Sequence, residues 1–222
     1  MEKLLITIDG PAGAGKTTVS RALADRLGYR YIDTGALYRG IALAAKNRGV
    51  DPQDDESLKR LCQAIDLNFL KQEDGLGLFL DGENISDRIR TPEITMMASA
   101  VSARPIVREF LLALQKELGR EKAAVFEGRD MGTVVFPNAD LKFFLDASTG
   151  TRARRRFEEQ KSKTSQTLEE VERDIQRRDH DDRTRDVAPL RPAVDAILID
   201  STEMSVDEVV DFMVSHIGRS KY

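Results

Sequence analysis

Close to its start the chain reads Ile6-Thr7-Ile8-Asp9-Gly10-Pro11-Ala12-Gly13-Ala14-Gly15-Lys16-Thr17, and this stretch decides the fold. Positions 10–17 satisfy the pattern of Gly, any four residues, and Gly-Lys-Ser/Thr. An apolar run at 4–8 precedes the pattern, and apolar residues at helical spacing follow it. A strand, a glycine loop and a helix start, in this order, are the context that a phosphate-binding loop requires. The stretch therefore predicts a nucleoside triphosphate site at the end of the first strand.

Each part of this loop has a chemical reason. Glycines let the backbone turn tightly, so that successive N–H groups point inward at phosphate oxygens. Lys16 would reach the β- and γ-phosphates, and the hydroxyl of Thr17 would be a ligand of Mg²⁺. The residues expected to bind the nucleotide are Gly10, Pro11, Ala12, Gly13, Ala14, Gly15, Lys16, Thr17 and Thr18.

Composition limits the remaining possibilities. The 222 residues suit one α/β domain with a small insertion, and the net charge of −4 argues against a general nucleic-acid binder. The single cysteine, Cys62, excludes an intramolecular disulfide and a cysteine-based metal cluster, and its apolar neighbours favour a core position. His180 and His216 are not spaced with cysteines or carboxylates in a way that would predict a metal site. We expect a soluble cytoplasmic protein without a signal peptide or membrane span.

Strand and helix patterns alternate along the chain. Apolar runs at 4–8, 29–32, 123–126, 141–145 and 196–199 predict buried strands. Helical patterns cover residues 16–27, 36–47, 57–65, 106–118, 151–159, 168–178 and 206–216, and residues 218–222 are expected to fray. This alternation predicts an α/β fold with a doubly wound parallel sheet of about five strands. Short apolar runs and turns at 67–85 predict a small antiparallel insert.

Polar and basic residues follow the predicted strands, at the sheet edge where ligands bind in such folds. They include Tyr38 and Arg39 after the second strand, and Arg129 and Asp130 after the third. More arginines at 152–156 and 177–185 give more positive charge than one nucleotide needs, so we expect a second phosphorylated substrate. Tyr38 and Arg39 could also be ordinary helix residues, the Arg129–Asp130 pair could be structural, and much of 152–156 could be a solvated helix face.

Four motifs together resemble the bacterial cytidylate kinases. They are Ile8-Asp-Gly-Pro-Ala-Gly-Ala-Gly-Lys16, Asp33-Thr-Gly-Ala-Leu-Tyr-Arg39, Glu127-Gly-Arg-Asp-Met-Gly-Thr133 and Arg178-Asp-His-Asp-Asp-Arg-Thr-Arg185. Their order and spacing extend the resemblance over nearly the whole chain. The phosphate loop is shared by many families, whereas the second and third motifs are far more specific.

The resemblance implies an activity and an architecture. Cytidylate kinases transfer the γ-phosphoryl group of ATP to CMP or dCMP with Mg²⁺ as cofactor. The implied fold is that of the P-loop kinases, here a single domain over 1–222 with a monophosphate-binding insert at about 62–95 and a helical lid at about 150–187. No nucleic-acid or membrane partner is implied, and a monomer is expected.

The resemblance also implies roles for individual residues. Those for the acceptor are Thr34, Arg39 and Arg129 at the CMP phosphate, Tyr38 beside them, Ser99, Arg108 and Asp130 at the cytosine edge, and Arg178 and Asp182 bridging sugar and phosphates. Those for catalysis are Lys16, Arg129, Arg178 and Arg183. Thr34 replaces a serine of some members but keeps the hydroxyl, and Asp181 stands where some members carry another lid arginine.

Two alternatives remain at this point. The chain could be a P-loop kinase for another monophosphate or a small-molecule hydroxyl, because only Ser99, Arg108 and Asp130 select cytosine. It could instead be a nucleotide-dependent switch, although the sequence contains no Asn-Lys-x-Asp guanine-reading motif.

Overall fold

The computed structural model describes residues 3–72, 75–161 and 166–219. The chain divides into two compact units. The loop unit comprises Met1–Tyr31 and Lys122–Tyr222, and it contains the phosphate loop. The helical unit comprises Ile32–Glu121.

A five-stranded parallel sheet organises the loop unit, as the alternating pattern predicted. The strands are β1 (Leu5–Asp9), β2 (Arg30–Asp33), β6 (Ala124–Gly128), β7 (Leu141–Asp146) and β8 (Ile197–Asp200). Their order in the sheet is β2-β6-β1-β7-β8, and the last two residues of β2 belong to the helical unit. In the central pairing, Ile6 lies opposite Val125 and Asp9 opposite Gly128. This register places the ends of β1 and β6 side by side.

The central strands β1 and β6 of this sheet are buried because helices cover them. All five residues of β1 and of β6 are buried, which explains their continuous apolar sequence. The helices are α1 (Lys16–Leu27), α6 (Thr149–Gln160), α7 (Leu168–Thr184) and α8 (Val206–Arg219). Helix α8 contains positions 218 and 219 of the tail that was expected to fray, and 220–222 lie outside the described residues.

The helical unit combines four helices with the predicted antiparallel sheet. The helices are α2 (Thr34–Asn47), α3 (Asp55–Ala64), α4 (Pro92–Ser102) and α5 (Pro105–Gly119). The sheet contains β3 (Leu67–Gln72), β4 (Gly75–Leu80) and β5 (Glu83–Asn84), in that order. A Cβ atom on Gly40 would lie 2.8 Å from the Cδ1 atom of Leu67, so this glycine lets α2 pack closely on the sheet.

Two helices differ from the sequence prediction. Helix α4 was missed, although Thr91 caps it and Pro92 opens it, because its apolar residues are mixed with small and polar ones. Helix α7 continues six residues beyond the predicted end at 178. Its charged residues sustain a helix, and Asp179 and Asp182 are buried on its inner face.

The sequence also predicted that Cys62 lies in the core and that no segment crosses a membrane. Cys62 is buried on α3, as its neighbours predicted, and burial raises the pKa of its thiol to about 11. Within the described ranges, no helix has both the length and the apolar character needed to cross a membrane.

Candidate active site

The phosphate loop connects β1 to α1 with the backbone that its glycines permit. Gly10, Gly13 and Gly15 all have positive φ angles, of 152°, 75° and 86°. A Cβ atom at Gly10 would lie 1.9 Å from the carbonyl oxygen of Leu145, and one at Gly13 would lie 2.9 Å from that of Arg152. Side chains at Gly10 and Gly13 would therefore displace the loop from the backbone that supports it.

Lys16 is the cation of this loop, and its side chain is buried. Its Nζ atom donates to the carbonyl oxygen of Pro11 at 2.7 Å. Burial, together with the charges of Arg129 and Arg178, lowers the pKa of Lys16 to about 7, while Glu127 opposes this shift. The ammonium group thus lies among other charged groups in a place where an added anion would stabilise its protonated form.

Thr17 and Glu127 bring two oxygen ligands together beside Lys16. The hydroxyl of Thr17 donates to Oε1 of Glu127 at 2.9 Å, and the glutamate is the fourth residue of the buried strand β6. Glu127 belongs to the third sequence motif, but the sequence predicted no role for it. An acidic residue at the end of an apolar strand beside the phosphate loop is the signal that could have identified it.

Arg129 and Asp130 come directly after β6 and contact the last turns of α7. The Nε atom of Arg129 donates to Oδ2 of Asp182 at 3.0 Å. Nη2 of Arg185 lies 3.6 Å from Oδ1 of Asp130, and its Nη1 lies 3.5 Å from Oδ1 of Asp182. The structure therefore brings two predicted residues of the strand end together with Asp182, and adds Arg185 to them.

Within this cluster, several arginines surround the carboxylate of Asp182. Burial alone would raise the pKa of Asp182. The charges of Arg129, Arg178 and Arg185 outweigh burial and hold the pKa of Asp182 below its usual value. Asp182 therefore stays ionised among guanidinium groups that are suited to binding phosphate.

The two predicted catalytic arginines of α7 have different surroundings. Arg178 is half-buried and close enough to Lys16 to lower its pKa. Arg183 is exposed, and its Nη2 atom lies 3.8 Å from Oδ2 of Asp146. The structure thus groups Arg178 with Lys16 but leaves Arg183 at the surface, and the roles of both arginines stay predictions.

One arginine of the basic run 152–156 supports the phosphate loop. The side chain of Arg152 is only 4% exposed, and its Nη1 atom donates to the carbonyl oxygen of Ala12 at 3.0 Å and to Oδ2 of Asp179 at 2.6 Å. Its Nε atom donates to the carbonyl oxygen of Ala147 at 2.9 Å. Because Arg152 joins the loop, α6 and α7, it is a structural member of a run that was expected to be partly solvated.

The predicted phosphate-binding residues of the helical unit lie at the start of α2. Asp33 caps this helix by accepting from the backbone N–H of Ala36 at 3.0 Å. The other carboxylate oxygen of Asp33 accepts from Nη2 of Arg39 at 2.7 Å and lies 3.9 Å from Nη2 of Arg90. Thr34 is buried in the first turn. Two arginines therefore gather at one helix start, and sequence reasoning missed Arg90.

The predicted base-reading residues of the helical unit are partly assembled. Arg108 on α5 is buried and lies over the ring of Tyr38, with 5.6 Å between its Cζ atom and the ring centroid. Nη1 of Arg108 also donates to the carbonyl oxygen of Ser102 at 3.1 Å. Ser99 is half-buried on α4, and its carbonyl oxygen accepts from the Ser102 hydroxyl at 2.8 Å. The structure thus stacks Arg108 on Tyr38 and relates Ser99 to Arg108 through Ser102.

Solved structures define the class to which this fold belongs. A shikimate kinase from Bacteroides thetaiotaomicron is 15% identical with a TM-score of 0.53, and the alignment covers 98% of this chain and 99% of that one. A gluconokinase from Sinorhizobium meliloti is 14% identical with a TM-score of 0.51, covering 98% and 93%. With the phosphate loop, these similarities define a P-loop kinase fold, as predicted.

Sequence comparisons then identify the family. The family model described as Cytidylate kinase matches residues 6–219. A cytidylate kinase from Geobacter sulfurreducens is 49% identical over 96% of this chain and 91% of the relative, and one from Pasteurella multocida is 45% identical over 97% and 95%. The chain belongs to the cytidylate kinase family and is an enzyme, which confirms the resemblance drawn from the four motifs.

Proposed function

We propose that this enzyme transfers the γ-phosphoryl group of ATP to CMP or dCMP, giving ADP and CDP or dCDP. The observation that carries the proposal is the cluster of Lys16, Arg129 and Asp182 beside the phosphate loop, in a chain of the cytidylate kinase family. A kinase for another acceptor and a nucleotide switch are less well supported, because the whole chain matches this family.

In the proposed reaction, the chain positions two phosphate groups and balances their charge. A phosphate oxygen of CMP attacks the γ-phosphorus of ATP, and the bond from that phosphorus to the bridging oxygen of ADP breaks. Lys16 and Arg178 stabilise charge on the transferred group, and Arg129 orients the attacking phosphate. The attacking oxygen is already largely ionised, so no residue is needed as a general base.

The oxygen ligands that Thr17 and Glu127 offer fit a magnesium ion that is held mainly by nucleotide phosphates. Thr17 and Glu127 offer a hydroxyl and a carboxylate 2.9 Å apart, and Mg²⁺ uses one or two such protein groups beside substrate oxygens. Among the described residues, no group of three or more His, Cys, Asp or Glu side chains could hold a metal without the nucleotide. When bound, Mg²⁺ would neutralise negative charge on the phosphates.

The acceptor assignments follow the matching motif positions. Thr34, Arg39 and Arg129 would bind the CMP phosphate, with Tyr38 beside them. Ser99, Arg108 and Asp130 would read cytosine, whose amine suits a carboxylate acceptor and whose ring acceptors suit a guanidinium. Uracil presents a carbonyl in place of the amine, and an unpaired buried group costs about 1–3 kcal/mol, so UMP should be a poor substrate by about tenfold to a hundredfold.

The domain roles are also proposed. The segment 62–95 would contribute to monophosphate binding. The segment 150–187 would close as a lid, with Arg178, Arg183 and Asp182 acting on closure, and would exclude water from the transferred group. We propose that the enzyme works as a cytoplasmic monomer without nucleic-acid or membrane partners.

A panel of acceptors tests the proposal. ADP release is measured with ATP alone and with ATP plus CMP, dCMP, UMP or AMP. We expect almost no ADP release without an acceptor, full rates with CMP or dCMP, and a kcat/KM that is lower by about tenfold to a hundredfold with UMP or AMP. ADP release without an acceptor would favour a switch, and a preference for another monophosphate would reassign the acceptor.

A variant localises the base contact. Asp130→Ala should raise the KM for CMP while leaving ATP binding nearly unchanged. An equal loss of ATP affinity would mean that Asp130 is structural.

A further inference from the structure

Asp9, the last residue of β1, is buried and holds a distant turn by two hydrogen bonds. Its Oδ1 atom accepts from the backbone N–H of Met131 at 2.9 Å, and its Oδ2 atom accepts from that of Gly132 at 2.7 Å. These N–H groups belong to a single π-helical turn, Met131–Val135, which begins directly after Arg129 and Asp130.

The first N–H groups of any helical turn lack partners within that turn. This turn is closed farther along by Val135, whose N–H donates to the carbonyl oxygen of Asp130 at 3.2 Å, and by Phe136, which donates to that of Met131 at 2.7 Å. The Asp9 carboxylate therefore supplies acceptors for the N–H groups of Met131 and Gly132 at the buried start of the turn. Asp9, on the strand that leads into the phosphate loop, thus holds a rare π-helical turn in place.

Close packing restricts the turn further. A Cβ atom on Gly132 would lie 3.1 Å from the Thr7 hydroxyl, 3.2 Å from Cδ of Lys142 and 3.4 Å from Oδ2 of Asp9. A side chain there would require the turn or these neighbouring atoms to shift by a few tenths of an ångström. Gly132 thus lets the backbone approach the carboxylate closely enough for both hydrogen bonds.

We propose that Asp9 is a positioning residue for the acceptor, holding Arg129 and Asp130 in place through its two hydrogen bonds to the turn that follows them. The inference rests on the proposed function, because it takes Arg129 and Asp130 as the groups that bind CMP. Asp9 itself touches neither substrate in this role. It holds the residues that would bind the acceptor, and it lies on the strand that leads into the phosphate loop.

The cost of this arrangement supports a role beyond packing. Burial raises the pKa of Asp9 to about 6, and the nearby charge of Asp130 adds to the shift. The N–H groups of Gly132 and Met131 and the charge of Lys16 oppose it. An apolar residue at this position would avoid the burial of a charge, but it would leave the two N–H groups without acceptors.

Asp9→Asn tests the role with almost no change of shape. The amide keeps one acceptor oxygen and turns an N–H donor toward another donor, so the turn loosens. We expect the Kd and KM for CMP to rise about tenfold, kcat to fall by less than that, and the Kd for ATP to change by less than twofold. Kd values are measured by titration calorimetry, with each nucleotide in the absence of the other.

Thr7→Val is the matched control. Thr7 is fully buried on the same strand, and its hydroxyl has no hydrogen-bond partner among the described residues. Valine has the same shape, so this variant should retain CMP affinity. A loss of CMP affinity equal to that of Asp9→Asn would mean that any change in β1 disturbs the turn.

Gly132→Ala moves the turn from its other side and decides the question if Asp9→Asn does not fold. It should also weaken CMP binding while leaving ATP binding within twofold. Equal losses for both nucleotides, or unchanged CMP affinity, would overturn the role of Asp9. If wild type neither binds nor phosphorylates CMP, the proposed function itself fails, and the two failures are thereby distinguished.

Discussion

Two ion pairs, one from each unit, are buried to very different extents. In the loop unit, the ion pair between Arg152 and Asp179 has side chains that are 4% and 12% exposed. In the helical unit, the pair between Arg104 and Asp55 has side chains that are 31% and 51% exposed. A buried pair depends on good geometry, whereas an exposed pair is screened by water. The buried pair of the loop unit is therefore held in a fixed geometry, and substitution of Arg152 should have a larger effect than substitution of Arg104.

The largest effect is expected at Lys16. Lys16→Ala removes the cation of the phosphate loop, and kcat should fall by about 10²- to 10⁴-fold, within the range reported for groups that stabilise the transferred phosphoryl group. Turnover is measured by ADP release with saturating ATP and CMP. Lys46→Ala, which removes an exposed lysine paired with Glu93 in the helical unit, is the control and should leave kcat within twofold. A loss of tenfold or less in Lys16→Ala would contradict the assigned role.

Substitution of Arg152 measures how much its buried ion pair and hydrogen bonds contribute to the free energy of unfolding. Arg152→Met leaves the Asp179 carboxylate buried without its cation, and the free energy of unfolding should fall by about 3–5 kcal/mol. The matched exposed variant, Arg104→Met, should cost much less, because water screens its ion pair. Urea unfolding of both variants gives the comparison, and equal losses would remove the distinction between the units.

The buried carboxyl of Asp9 should make the free energy of unfolding depend on pH. The pKa of Asp9 is raised from 3.8 to about 6 in the folded chain, so the folded chain binds its proton at a higher pH than the unfolded chain does. This contribution to stability is fully present below pH 3.8 and is lost as the pH rises through 6. Relative to Asp9→Asn, wild type should gain about 2 kcal/mol in unfolding free energy between pH 7.5 and pH 4.5. A difference that is independent of pH would place Asp9 in a solvated setting.

The smallest effect is expected in the helical unit. Arg48→Ala breaks an ion pair with Asp81 whose side chains are 41% and 46% exposed, and it should cost less than about 1 kcal/mol. Because salt screens such pairs, the cost should shrink further in 0.5 M NaCl. Thermal unfolding at two salt concentrations measures it, and a cost that salt does not reduce would indicate a more rigid pair than its exposure implies.

The sequence predicted local features well because their causes are local. The phosphate loop was predicted from an eight-residue pattern, and the parallel sheet from alternating strand and helix signals. The small antiparallel sheet followed from short apolar runs with turns between them. In each case, the residues that determine the feature are neighbours in the chain.

Features that depend on distant residues were missed. The contact of Arg152 with Ala12 joins positions 140 residues apart, and sequence alone did not show which arginine of the basic run turns inward. Asp9 and Arg90 were missed for the same reason, because their partners come from other elements. Helix α4 was missed because its signal lies in its cap rather than in its apolar periodicity.

The buried thiol of Cys62 can report local opening of the helical unit. Because its pKa is about 11, little of the reactive thiolate exists at neutral pH, and the packed core of the helical unit shields the sulfur atom. Alkylation therefore requires a transient opening of α3. Since the sequence contains one cysteine, the labelling rate measures how often this part of the enzyme opens, with no engineered probe.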